Sequence, residues 1–496
     1  MSELLLGIDI GTSACKVAIF NRKGVVLAQS NQGYKVYYPK PGWVEQNPEE
    51  WWDSICIAIK DCISKAKIMS NEIVGIGIDG QSWSTIPVDK EGNCLYNTPI
   101  WMDTRAKDIT ERVTKEIGEE RIFDVAGNAF SPSFTTPKML WFKENKPGIY
   151  KNTYKFLYSN SYIGMKLTGV FSADKCQCYG FHFYNTKTCS YDENIAEDMG
   201  LTLDKVPNLY QCHDIIGKVT KSAAKMTGLA EGTPVVAGGL DAACGTLGAG
   251  VYLSKQTQLQ GGQAGGMSIC MDKHIAHPKL ILSPHVVPDL WLLQGGTVGG
   301  GGVLRWFKQE LGEGKSFDEL TALAEEISPG ADGVTFLPYM AGERCPIWNP
   351  DAKAVFYGLG FDKTKAHMIR AALEGVVYSV MHNFKIAEGA GVNIKELDLR
   401  AMGGAANSKL WMQIYADVIG CKISIPTSDT ATTLGAAILA GVGVGLYANF
   451  EEAVRETVII TRVQEPNREN HEIYQKSMKL YLGLYEDLKN TFSKNE

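Results

Sequence analysis

Twice in this sequence an apolar, strand-like run closes on an aspartate set among glycines: "LLLGIDIGTSACK" at 4–16 and "TPVVAGGLDAACGTLGAG" at 233–250. A carboxylate at the end of a buried strand is costly unless something satisfies it. The residues after Asp9 offer that. Backbone N–H groups and the hydroxyls of Thr12 and Ser13 suit phosphate oxygens, and a carboxylate is a hard ligand for a cation. Taken alone, the first stretch reads equally as a strand ending in an Asx-type turn. Two such stretches, one in each half, predict two domains with a cleft between them.

The surrounding elements read as mixed α/β. "LLLGIDI", "CKVAIFN" and "GVVLAQSNQGYKV" are three strands, the last entered through a turn at Lys23-Gly24. Pro48 opens a helix over 48–68, in which Trp52, Ile55, Ile59 and Ile63 recur at helical spacing. "EIVGIGID" at 72–79 is the next strand. The second half repeats this kind of opening: strand and Gly-rich turns over 233–250, two hairpin strands over 255–271, and strand, Gly-Gly turn and helix over 397–420. A chain of 496 residues, 45% apolar, has material for two cores. The boundary falls near 245–255, predicting domains 1–247 and 248–496.

Two carboxylates across a cleft allow a division of labour. One holds a metal while the other takes the proton from an attacking hydroxyl, which is what phosphoryl transfer requires. The glycines let backbone approach phosphate closely. On this reading Asp9 serves Mg²⁺, and Gly11, Thr12 and Ser13 serve phosphate with Lys16 nearby.

With these residues in view, the chain resembles the FGGY carbohydrate kinases, within the actin/hexokinase/Hsp70-type ATPase fold of two RNase H-like domains. "GIDIGTSACK" resembles the family's first phosphate motif, and "SFTTPKMLWFKEN" (133–145) and "AVFYGLGFDKTKAHMIRAALEG" (354–375) resemble its two signatures. "PGWVEQNPEEWW", "GGLDAACG" and "GGAANSKLWMQIYADVIG" also fit. The resemblance implies ATP and Mg²⁺ as cofactors, Asp241 as general base and Asp9 as metal ligand. It implies Thr12 and Ser13 at the β/γ-phosphates, Gly262, Gln263 and a glycine near Gly301 along the phosphate path, and Gly403, Gly404 and Asn407 beside adenosine. Relatives carry Gly-Thr where this chain has Gly262-Gln263.

Acceptor specificity is expected from "GQSWS" (80–84) and "WMDTR" (101–105), with Gln81, Ser82, Trp83, Asp103 and Asp241 as contacts. The resemblance is greatest to the xylulokinase members, which implies D-xylulose to xylulose 5-phosphate as the first expectation. Another ketose, a polyol or a sugar acid is the alternative, since Ser82 and Trp83 replace a Met-His pair and Ala242 an Asn. The partner is then a small sugar or polyol. A homodimer is the assembly left open.

Other features bound the reading. "GIGIDG" (75–80) fits G-x-G-x-x-G, but Val74, Ile76 and Ile78 alternate straight through it, so the glycines lie within a strand and no helix opens after them. A nicotinamide-dependent oxidoreductase therefore rests on spacing alone. A non-enzymatic ATPase-fold sugar sensor is the other competing class, and Asp241 in its glycine setting argues against it. A net charge of −6 argues against nucleic acid or an anionic membrane as main partner. The longest apolar run, "LGAAILAGVGVGLYA" within 433–449, falls short of the ~20 residues a spanning helix needs. The 12 cysteines are scattered, as expected of reduced thiols in a cytoplasmic protein. Cys176, Cys178 and His182 are expected on one face of a strand rather than around zinc. His274, His277 and His285 are expected to be solvated. Glu343 and Arg344 either pair or face the cleft.

Overall fold

The computed structural model describes residues 3–427 and 430–493. Its first half is built on β1 (Leu4–Ile10), β2 (Ala14–Phe20) and β3 (Val26–Gly33), an antiparallel meander. Helix α1 (Pro48–Ala66) follows. The Asn47 side chain accepts the Glu49 N–H, and Pro48 stands where no N–H partner is needed. Its buried stripe of Trp51, Trp52, Ile55, Ile59 and Cys62 packs on the sheet. Strand β4 (Ile73–Gly80) runs parallel to β1 in the register Asp9↔Asp79. After helix α2 (Thr135–Asn145), the strands β5 (Ile215–Lys218), β6 (Pro234–Val236) and β7 (Gly239–Leu240) finish a sheet ordered β5-β6-β4-β1-β2-β3, with β7 also against β4. Helix α3 (Asp241–Gly248) leaves its edge.

The second half repeats the plan. β8 (Gln256–Gly261), β9 (Gly265–Met271), β10 (Ile281–Pro284) and β11 (Trp291–Thr297) are antiparallel. Helix α4 (Gly301–Glu310) follows. β12 (Asp398–Met402) pairs parallel with β8 as β4 does with β1, and helix α5 (Lys409–Ile419) leads to β13 (Ile423–Pro426). After helix α6 (Ala431–Gly443), β14 (Ile460–Gln464) closes the order β10-β11-β9-β8-β12-β13-β14. In each half the first strand of an antiparallel set pairs parallel with a later strand, β4 or β12, but the strands at 234–240, read from the sequence as the opening of the second half, join the first sheet through β4, so Asp9 and Asp241 both belong to that sheet.

A helical seam joins the halves. α6 packs on β1 and β4 of the first sheet and on α3. The approach is backbone to backbone: a Cβ on Gly77 would lie 1.8 Å from the Ala436 carbonyl oxygen, and one on Gly435 would lie 1.9 Å from that of Cys244. This is why β4 carries the glycines that imitate a dinucleotide fingerprint. The apolar run around 434–448 is a buried helix and turn, and among the described residues no helix is long and apolar enough to cross a membrane.

Two local expectations fail. Residues Gln177–Gly180 form a 3-10 turn, not a strand, so Cys176, Cys178 and His182 share no strand face. Their burial comes from an aromatic layer instead, His182 meeting Phe130 and Phe134 edge-on. His285 is buried, its Nε2 3.0 Å from the Val251 carbonyl, and burial lowers its pKa to about 4. All 12 cysteines are free.

Candidate active site

The two aspartates are brought to one end of the first sheet. Asp9 is buried at the end of β1, where its Oδ2 accepts the Thr432 hydroxyl at 3.0 Å and lies 3.4 Å from Lys16 Nζ. Asp241 is the first residue of α3, and its Oδ1 accepts the Ala242 N–H at 2.6 Å. Burial foremost, then the charge of Asp9, pushes the Asp241 carboxyl up to about 7; the Ala242 N–H and Lys16 oppose this. That value suits a proton acceptor at neutral pH. A third carboxylate lies beside them. Asp79 is fully buried and among the described residues neither oxygen has a hydrogen-bond partner. Burial, then Asp9 and Asp241, push it well above the usual carboxylate range. Sequence reasoning passed over it as part of a Gly-rich strand.

Thr12 turns toward the cleft with both its polar groups engaged. Trp101 Nε1 donates to its hydroxyl at 3.0 Å, and Gln46 Nε2 to its carbonyl at 2.8 Å. Ser13 and Lys16 are exposed on the same turn and the strand after it. Among the described residues no three His, Cys, Asp or Glu side chains form a metal cage. One or two carboxylates beside a Gly-Thr-Ser turn nevertheless fit Mg²⁺, which keeps most of its waters and takes few protein oxygens.

A cavity of about 290 Å³ opens between the halves above Asp241. From the first half it is lined by Thr12, Gln81, Ser82, Trp83, Trp101 and Tyr179, and from the second by Gly265–Ser268, Gln294, Gly296 and Arg344. Gln81 Nε2 donates to Gln46 Oε1 at 2.7 Å, and among the described residues the buried Gln81 Oε1 has no hydrogen-bond partner. Trp83 stacks on Phe134 with ring centroids 3.9 Å apart and meets Tyr179 edge-on. It is therefore both packed and part of the cavity wall.

Asp103 is the correction. Its carboxylate is buried outside the cavity, accepting the Val44 N–H at 2.6 Å and the Arg105 guanidinium at 2.8–3.0 Å. Arg105, sandwiched between Trp43 and Trp141, leaves it no oxygen to offer a substrate. Arg344 answers the question left open by the sequence: it faces the cleft, 6.0 Å from the Trp101 ring, while Glu343 Oε1 turns back to the N–H groups of Val298 and Arg344.

A second cavity, of about 390 Å³, brings together Gly262, Gln263, Gly301, Gly404 and Asn407. Gly301 N–H donates to the Gly262 carbonyl at 2.7 Å, tying the β8–β9 turn to the start of α4. Arg305, Phe317, Asp318 and Thr321, none of which the motifs had marked, line it too, with Trp411 from the quoted stretch 403–420. Gly403, at φ 86, sits behind, against the Gly261 carbonyl.

Two sheets of one topology, with Asp9, Asp241 and a Gly-Thr-Ser turn at the end of the first and a glycine-lined cavity on the second, belong to a two-domain ATP-dependent phosphotransferase of the actin/hexokinase/Hsp70 type. The particular lineage is equally clear: the chain belongs to the FGGY family of carbohydrate kinases. Its residues 4–248 match the family's N-terminal domain and 270–444 its C-terminal domain. It is 32% identical to the xylulose kinase of Staphylococcus epidermidis over 99% of this chain and 98% of that one. It is 30% identical to the gluconokinase of Bacillus licheniformis, again over 99% and 98%. The ligand-bound xylulose kinase of Lactobacillus acidophilus superposes with a TM-score of 0.91 at 25% identity, covering 99% of this chain and 100% of that one.

Proposed function

We propose that this kinase transfers the γ-phosphoryl group of ATP to a hydroxyl of a small ketose, D-xylulose first, giving xylulose 5-phosphate. The observation that carries this reading is the position of Asp241, in one cavity with the hydrogen-bonding Gln81 and the aromatic wall of Trp83 and Trp101. The acceptor hydroxyl gives its proton to the Asp241 carboxylate as its oxygen bonds to the γ-phosphorus, and the bond to the β-phosphate bridging oxygen breaks to release ADP. Asp9 would hold Mg²⁺, which offsets charge on the phosphates when bound. Gln81 Oε1 accepts from an acceptor hydroxyl, and the second-half glycines Gly262, Gly301 and Gly404, with Gln263 and Asn407, border the nucleotide. Closure of the halves would exclude water from the γ-phosphate.

A second acceptor class is favoured by one observation. Arg344 brings a guanidinium to the cavity that among the described residues has no carboxylate within salt-bridge distance, which suits a sugar acid. ADP release measured over D-xylulose, ribulose, gluconate, glycerol and erythritol decides between them. The ketose reading requires D-xylulose to have the highest kcat/KM. Gluconate in that place selects the sugar acid, and no turnover with any of them refutes both.

A further inference from the structure

Lys138 lies in the first turn of α2 and is fully buried. Among the described residues its ammonium has no carboxylate within hydrogen-bonding reach. It donates instead to three backbone carbonyls: Trp83 at 3.1 Å, Ile100 at 2.7 Å and Ser133 at 2.6 Å. These carbonyls belong to three separate segments, and each adjoins the acceptor cavity. Trp83 is itself in the wall, Ile100 precedes Trp101, and Ser133 precedes Phe134, on which Trp83 stacks.

Three carbonyl oxygens converging on one buried point call for a donor with three N–H bonds, which an ammonium is and an amide or thioether is not. Burying that ammonium is costly, and an apolar side chain of the same length is often tolerated as well or better in such places. The Trp83 backbone supports the same view. Its φ of 58° is an outlier for a bulky residue, and such conformations persist only where the surroundings enforce them. The Lys138–Trp83 hydrogen bond is one such constraint.

We propose that Lys138 is a positioning residue for the acceptor: it presets the Trp83, Trp101 and Phe134 segments as one unit, and so sets acceptor affinity without touching the acceptor. This rests on the cavity around Asp241 being the acceptor site. Burial lowers the ammonium toward about 7, with Asp103 opposing and Arg105 assisting.

The test compares the full-length enzyme with Lys138→Met and Lys138→Gln, using the panel member with the highest wild-type kcat/KM. The expected result is an acceptor KM raised about tenfold or more in Lys138→Met, one charge-assisted hydrogen bond's worth. Lys138→Gln, with two N–H donors, falls between. The KM for ATP stays within about twofold of wild type, as does kcat, since the Asp241 region is untouched. An unchanged acceptor KM in a folded Lys138→Met enzyme overturns the proposal, and so does a parallel rise in both KM values. Should the variants not fold, hydrogen exchange on the wild type decides: segments 81–84, 98–103 and 131–135 slow together by a common factor when the acceptor binds. Protection of one segment alone overturns it. A wild type that phosphorylates none of the panel refutes the acceptor-site reading beneath the proposal, whereas an active wild type with insensitive variants refutes only Lys138.

Discussion

If Asp241 is the general base, the carboxyl held near pH 7 makes the transfer rate follow a titration curve. Only the ionised form accepts the proton. With a pKa of about 7, roughly nine-tenths is ionised at pH 8 and about one-tenth at pH 6, so kcat/KM falls about tenfold between them. Asp241→Asn keeps the shape, loses the acceptor, and lowers the rate by ~10²–10⁴ while removing this limb. Stability carries the opposite sign. A carboxyl raised in the folded state contributes stability below its unfolded value of 3.8, and that contribution is lost as pH rises through about 7. Asp241→Asn therefore melts above wild type by a margin that widens from pH 5.5 to pH 8. Initial rates of ADP release from pH 5.5 to 8.5, with thermal unfolding over the same range, measure both effects. A variant within a few-fold of wild type, or one that retains the wild-type inflection, shows that another group takes the proton.

Asp9→Asn is expected to weaken Mg·ATP binding as well as turnover, unlike Asp241→Asn; unaltered affinity by calorimetry would make Asp9 a strand-end residue only. Trp83→His should change the ratio of kcat/KM values among D-xylulose, ribulose and gluconate while catalysis survives, and an unchanged profile assigns Trp83 to packing alone. Gly77→Ala puts a methyl 1.8 Å from the Ala436 carbonyl oxygen, so α6 has to move. We expect a loss of about 3 kcal/mol or more, read as a lowered Tm. A Tm within about 1 °C of wild type refutes the close-packed seam.

Much of the site was legible because its residues break local rules. Asp9 and Asp241 are polar where apolar strands end, and the glycines beside them have no packing role visible at short range. Asp103 misled for a related reason: its motif is local, but the partners that claim it include Val44, brought from 59 residues away, and Arg105 held between two tryptophans. Gln46 and Lys138 were illegible as site residues because their roles depend on carbonyls and side chains contributed by distant segments, and Arg344 was legible only as a choice between pairing and facing the cleft. The strand expected around Cys176 failed because the chain leaves the short strand Ser172–Asp174 for a 3-10 turn at Gln177–Gly180, and the alternation there reflects burial in an aromatic layer. His285 looked loop-like by its prolines, yet its loop is tucked beneath the Val251 carbonyl.

The seam of α6 against α3 and β4 has a consequence for how this chain can be divided. Its residues come from both halves and sit in one apolar cluster that includes Leu5, Leu240, Leu247, Leu434 and Ile438. A fragment ending at 247 would expose the face of β1 and β4 that α6 covers, and the complementary fragment would present α6 with nothing to lie against. The two sheets are therefore expected to unfold as one cooperative unit, with a single melting transition, and the halves to be recovered soluble only when produced together.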